Sequence, residues 1–112
     1  MLPVKRRLRN RNDIKTLLAK GRSVFGNVVA LKFRSNLMPI SRFTVVVGVK
    51  IDKRAVVRNR LKRRVRAIIQ DLIGKVKPGW DVCFFPKKVA IDISFKGLEK
   101  EMILILKKAR LL

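Results

Sequence analysis

Hydrophobic positions along the chain change period several times, and each change predicts an element. Ile14, Leu17 and Leu18 share one side of a short helix that starts at Asp13, with Asn12 as its cap and Gly21 just past its end. Over residues 23–34 the apolar set Val24, Phe25, Val28, Val29, Leu31 and Phe33 favours extended backbone, and Gly26-Asn27 supplies a turn or bulge between two strands. Pro39 marks residues 36–41 as a connection, and the β-branched run over 43–49 predicts a third, largely buried strand.

The period then returns to that of a helix. Val57, Leu61, Val65, Ile68 and Leu72 recur at spacings of three and four, which places them on one stripe of a long helix. Lys77-Pro78-Gly79 ends that region, residues 81–85 read as a fourth strand, and Pro86 stops it. Residues 94–109 form a last helix, with Ser94 at its cap, Leu98, Met102, Ile105 and Leu106 facing inward, and Lys100, Lys107 and Lys108 facing out. The order αβββαβα describes an α+β fold in one domain over residues 1–112, with a basic segment over about 1–11 and no repeats.

Charge narrows the choice of partner. Lys and Arg outnumber Asp and Glu 29 to 7, for a formal net charge of +22, so the folded surface repels itself until a polyanion neutralises it. A disordered basic tail is excluded by the 48% hydrophobic residues spread along the chain. No apolar run approaches the ~20 residues of a membrane span, and the basic N-terminus leads into an amphipathic segment instead of a signal peptide, so the expected location is cytoplasmic, with no membrane partner. The single cysteine, Cys83, lies in an apolar run and is expected to be a buried, reduced thiol.

Most catalytic schemes are poorly served by this composition. Without histidine and with one cysteine, the chain lacks an imidazole general base and a thiolate-rich zinc site. The acids Asp13, Asp52, Asp71, Asp81, Asp92, Glu99 and Glu101 are scattered, and the six glycines stand apart, so neither a metal-holding carboxylate cluster nor a phosphate loop is predicted. No catalytic residue, no metal site and no small-molecule substrate are assigned.

The chemistry that remains lies in residues 53–66, where acidic counter-charges are missing. On a helix advancing about 100° per residue, Asn59, Arg60, Lys62, Arg63 and Arg66 sweep the arc opposite the apolar stripe, with Arg58 and Arg64 at its margins. Arginine presents a planar fork that pairs two phosphate oxygens or stacks on a base, which suits folded RNA. The plainer reading is a solvated face kept basic for solubility. Unrelieved repulsion along the helix and the charge of the whole chain favour RNA binding over it.

The run from Ala55 to Arg66, with Arg58-Asn59-Arg60 and its basic continuation, resembles the signature helix of the bacterial ribonuclease P protein subunit. The resemblance extends to the Arg7-Leu8 start, the first helix, the strand beginning at Phe43, and Asp81 opening the late strand. It implies an α/β sandwich like the second domain of ribosomal protein S5, with a left-handed strand-helix-strand crossover where physics alone favours a right-handed one. It also implies two partners, a catalytic RNA and precursor tRNA. The RNA subunit, with Mg²⁺, removes the 5′ leader, and the protein binds no cofactor by itself. The signature-helix residues Arg58, Asn59, Arg60, Lys62, Arg63, Arg64 and Arg66 inherit docking on the catalytic RNA, and Lys50, Lys53 and Arg54 extend that surface.

A second surface implied by the resemblance is a cleft between the sheet and the first helix that holds the single-stranded leader. Here the sequence departs from the family: Ile14 and Leu18 replace usual aromatics, and Lys32, beside Ala30 on one strand face, replaces another. Stacking there is weakened, although Lys32 retains a charge for a phosphate, and Ile14 and Leu18 also read as ordinary core residues. The Ser-Lys-Lys usual ahead of the signature helix is reduced to Gly48-Val49-Lys50. Trp80 is expected to cap the core. Two other classes stay open: a ribosome-associated or general structured-RNA-binding protein, and a protein that cuts RNA alone. The second lacks histidine and paired acids.

Overall fold

The computed structural model describes residues 3–112 and realises the order αβββαβα. Helix α1 spans Arg11–Lys20, strands β1, β2 and β3 span Arg22–Phe25, Val29–Ser35 and Arg42–Val45, α2 spans Ala55–Leu72, β4 spans Trp80–Pro86 and α3 spans Phe95–Lys108. Short 3₁₀ turns at Val4–Arg6 and Lys88–Ile91 precede α1 and α3.

The four strands form one sheet in the order β1-β2-β4-β3. The hairpin β1–β2 and the pair β2–β4 are antiparallel, whereas β3 runs parallel to β4. A parallel pair needs a crossover connection, and α2 is that crossover.

Strand alternation divides the side chains between two faces. Val29, Leu31, Phe33, Phe43, Val45, Val82 and Phe84 join Leu61, Val65, Ile68, Ile69 and Leu72 of α2 and Leu98, Met102, Ile105 and Leu106 of α3 in the main core. All four inward positions predicted for α3 are buried, and Ser94 caps it by accepting from the Gly97 amide at 3.0 Å. The opposite face carries a smaller cluster of Leu8, Leu17 and Cys83, with Ile14 and Phe85 packed against it. Cys83 is buried as expected, and burial pushes its thiol up to about 12, so it stays protonated at neutral pH.

Several boundaries move by one residue, with Pro86 closing β4 as its last residue, and two differ from the sequence reading by more than that. The cap of α1 is Asn10, whose Oδ1 accepts from the Asn12 and Asp13 amides at 2.9 and 3.2 Å, so the helix begins two residues earlier than Asp13. Both asparagines carry the same capping chemistry, and only Asn10 lies where its side chain reaches the free amides of the first turn. The third strand ends at Val45 and does not run to Val49. The Val46 amide still donates to the Phe84 carbonyl at 2.9 Å, after which the Ile51 amide closes a turn on Gly48 at 3.1 Å and leads into α2. Val47 remains buried while Val49 is exposed, so β-branching fills a strand-like run that topology cuts short.

Gly21 is required by a close approach. A Cβ there would lie 2.4 Å from the Leu17 carbonyl oxygen, which already accepts the Gly21 amide. Trp80 is half-buried against Phe33, with ring centroids 5.7 Å apart, in keeping with a place at the margin of the core.

Candidate nucleic-acid interface

Helix α2 buries one stripe and turns the opposite face to solvent. Asn59, Arg60, Arg63 and Arg66 are exposed, Lys62 is half-buried, and no acidic residue interrupts the helix before Asp71. Val56, 78% exposed on the same outward arc, gives this charged surface an apolar spot that the charge pattern did not single out.

The two arginines at the margins of the arc have structural partners. Arg58 donates through Nη1 to the Asp52 and Lys53 carbonyls at 2.9 and 2.8 Å, bracing the turn that enters α2. Arg64 donates to the Ile93 carbonyl at 2.7 Å and ties α2 to the segment before α3. Arg54 grips Asp52 with two prongs, Nε–Oδ1 3.0 Å and Nη2–Oδ2 2.9 Å, and this arginine together with the Arg54 amide holds the Asp52 carboxyl down to about 2. Lys50 and Lys53 are exposed beside it.

No acidic residue occupies the first turn of α2, and no side chain caps it. The positive end of the helix dipole therefore coincides with Lys53, Arg54 and Arg58. An anion gains there from both sources.

A groove of about 560 Å³ continues this surface between α2 and the segment before α1. Arg63 and Arg66 line one side and Arg7 and Arg9 the other, over a floor that includes Leu8, Phe43 and Ile69. A backbone bridge fixes the segment, with the Leu8 amide donating to the Phe43 carbonyl at 2.8 Å. The basic stretch at the start of the sequence signalled a charged segment, but only the structure brings Arg7 and Arg9 to the signature helix.

The second group of candidate residues lies across the sheet. Ile14 packs against the small cluster around Leu17, as a core residue does, while Leu18 stays 37% exposed. Ala30 and Lys32 share the face turned toward α1 and are half-buried. The Lys32 ammonium donates to the Leu18 carbonyl at 2.6 Å. It caps the C-terminal end of α1, where a positive charge is favoured.

Arg42 fastens α1 to this face. It pairs with Asp81 through Nε–Oδ1 at 2.9 Å and Nη2–Oδ2 at 2.8 Å, and with Asp13 at 3.2 Å. Asp81 also accepts from Asn36 at 3.0 Å. Three of the seven acids, Asp13, Asp52 and Asp81, are thus bound by arginines, and among the described residues no three His, Cys, Asp or Glu side chains gather as metal ligands. No helix among the described residues is long and apolar enough to cross a membrane.

A profile of the Ribonuclease P family matches residues 2–110. The chain belongs to the ribonuclease P protein family. It is 34% identical over 111 residues to the ribonuclease P protein component of Syntrophomonas wolfei, covering 99% of this chain and 92% of that protein. With the ribonuclease P protein component of Pseudanabaena it shares 38% over 114 residues, covering 100% and 97%. Among solved structures, the RNase P protein from Thermotoga maritima superposes with a TM-score of 0.83 at 31% identity, covering 91% of this chain and 96% of that one. An RNase P protein from Staphylococcus aureus superposes with a TM-score of 0.85 at 21% identity, over 95% and 96%, and shares the fold. Membership in the ribonuclease P protein family gives the chain a role in ribonuclease P, an endoribonuclease complex, and makes ribonuclease P RNA its partner.

Proposed function

We propose that the protein binds the catalytic RNA of ribonuclease P through the outward face of α2, contacts the 5′ leader of precursor tRNA through the α1 face of its sheet, and so assists leader removal. The observation that carries this reading is the basic surface from Lys53 to Arg66, free of acidic residues, which merges with Arg7 and Arg9 across the groove. Arg60, Arg63 and Arg66 are the exposed forks that would engage phosphates, while Arg58 and Arg64 would act mainly by holding the helix in place.

Bond cleavage belongs to the RNA in this reading. The Mg²⁺ requirement is assigned to the RNA-containing assembly, and Asp13, Asp52 and Asp81, each paired with an arginine, are given structural roles. The protein would lower the electrostatic cost of bringing two RNA molecules together, an effect that grows as Mg²⁺ becomes scarce.

The test is precursor-tRNA cleavage by the organism's own ribonuclease P RNA at low Mg²⁺, with and without the protein. Stimulation is expected, and Arg60→Ala should weaken docking on that RNA by about 1–3 kcal/mol, the range for a charge-assisted contact. Absence of stimulation, together with equally tight binding to unrelated structured RNA, would move the assignment to a general RNA-binding protein.

A further inference from the structure

Contacts to phosphates orient a protein on RNA without reading which RNA it is. The exposed arginines of α2 offer contacts of that kind, so recognition of one structured RNA calls for a second feature that responds to something besides charge. The groove between α2 and the segment before α1 has that form. It lies between α2 and the β3 border of the sheet, whereas α1 packs on the opposite face.

One wall of the groove is made by Arg63, Arg66, Ala67 and Gln70, all exposed and all on one side of α2 at three- and four-residue spacing. Together they cover about 10 Å of helix axis. Arg7 and Arg9 form the facing wall, fixed by the bridge to Phe43. Ala67 is the exception in a wall of long polar side chains. Its single methyl group leaves the gap unfilled above the apolar floor of Leu8, Phe43 and Ile69.

Charge and shape together select the ligand. Four arginines approach the groove from its two walls, and among the described residues no acid lines it, so like charges repel there until an anion enters. An inorganic anion would make no use of the apolar floor, and an apolar ligand would make none of the guanidinium groups. An unpaired nucleotide carries both an aromatic base and a phosphate, and arginine serves it by stacking on the ring or by forking two phosphate oxygens. A volume of about 560 Å³ lies in the range of pockets that enclose small organic groups. An RNA duplex keeps its bases stacked inside and meets only the arginine rims, whereas a base turned out of the stack reaches the floor.

We infer that the groove is a pocket for one unpaired nucleotide of the partner RNA. Its base lies over Leu8, Phe43 and Ile69 beside Ala67, and Arg9, Arg63 and Arg66 hold the flanking phosphates. Ribonuclease P RNA as the owner of that nucleotide rests on the proposed function; the nucleotide chemistry rests on the groove. Thr44 and Gln70 line the same pocket and bring hydrogen-bonding groups to it, the means by which one base is told from another.

Ala67→Leu fills the groove without removing charge, and leucine is nearly as good a helix former as alanine, so the fold should hold, which thermal unfolding checks. Affinity for the organism's own ribonuclease P RNA is expected to fall about tenfold, in keeping with the loss of one base contact. Ala67→Ser, which keeps the groove open, should retain it. Binding to a plain RNA duplex and the slope of affinity against salt should not change. Chemical modification of the RNA bases should find one unpaired nucleotide protected by the parent protein and re-exposed by Ala67→Leu, with the remaining footprint kept. Equal affinity of parent and Ala67→Leu for ribonuclease P RNA would overturn the pocket, and so would an equal loss on the duplex, which would mean that leucine obstructs phosphate docking. Binding of free adenosine or guanosine monophosphate at micromolar concentration, lost in Ala67→Leu, would overturn the RNA as source of the nucleotide. A parent protein that binds ribonuclease P RNA no better than the duplex would count against the proposed function, and the pocket would still be decided by comparing parent and Ala67→Leu on a hairpin with one bulged nucleotide.

Discussion

On one face of the sheet, aliphatic and aromatic side chains from the strands and two helices close into a continuous core; on the other, α1 is held by Leu8, Leu17, Cys83 and the three-way pairing of Arg42 with Asp81 and Asp13. The first face is secured by area, which is insensitive to direction. The second is secured by a few directed contacts, and its incomplete cover leaves apolar sheet surface for another use. In a domain of this size both arrangements are needed: the large core supplies stability, and the lightly covered face supplies a concave surface next to a helix.

The largest expected effect comes from the heavier face. Phe84→Ala, at a fully buried ring in the centre of the sheet, should cost about 4 kcal/mol in urea unfolding. A smaller loss than that from the next substitution would mean that the two faces do not differ as described. Asp81→Asn leaves Arg42 with Asp13, at 3.2 Å, as its remaining carboxylate partner in a largely buried site and should cost about 2 kcal/mol. Loss of protection from hydrogen exchange concentrated in α1 would show that the damage is confined to the lighter face.

Asn10→Ala removes the cap of α1 and should cost about 1 kcal/mol by the same measurement. Asn12→Ala should cost less, because Asn12 does not supply the cap, and the reverse order would return the cap to Asn12. The smallest effect lies outside both faces, at the exposed Arg54–Asp52 pair. Asp52 is held at about 2, below its ordinary value of 3.8, so its contribution to stability is present above 3.8 and is lost as pH falls through about 2. Carbon-detected NMR titration should place the Asp52 midpoint near 2, and Arg54→Ala should return it toward 3.8.

The fold was legible wherever burial imposes a period. The α2 stripe and the four inward residues of α3 could be read because each position repeats a helical spacing against one core. Strand three was overextended because Val46, Val47 and Val49 have strand-like side chains while the chain must leave the sheet to enter α2, a demand of topology that local composition does not carry. The site was legible as charge, since an arginine-rich arc without acids is visible in one dimension. Its division of labour was not. Arg58, Arg64 and Lys32 spend donors on backbone carbonyls far along the chain or around a turn, and Arg7 and Arg9 come beside Arg63 and Arg66 only through the bridge to β3.

The bridge between Arg7 and Phe43 has a consequence for the protein before it meets RNA. Strand β3 lies at the border of the sheet, where a row of unpaired backbone groups invites another chain to add on and start aggregation. The segment carrying Arg7 and Leu8 lies against that border and takes the Phe43 carbonyl for itself. The opposite border, β1, is only four residues long and begins with Arg22. Among the described residues no long, bare strand edge is left, so the two borders of the sheet work against edge-to-edge pairing of one copy with another.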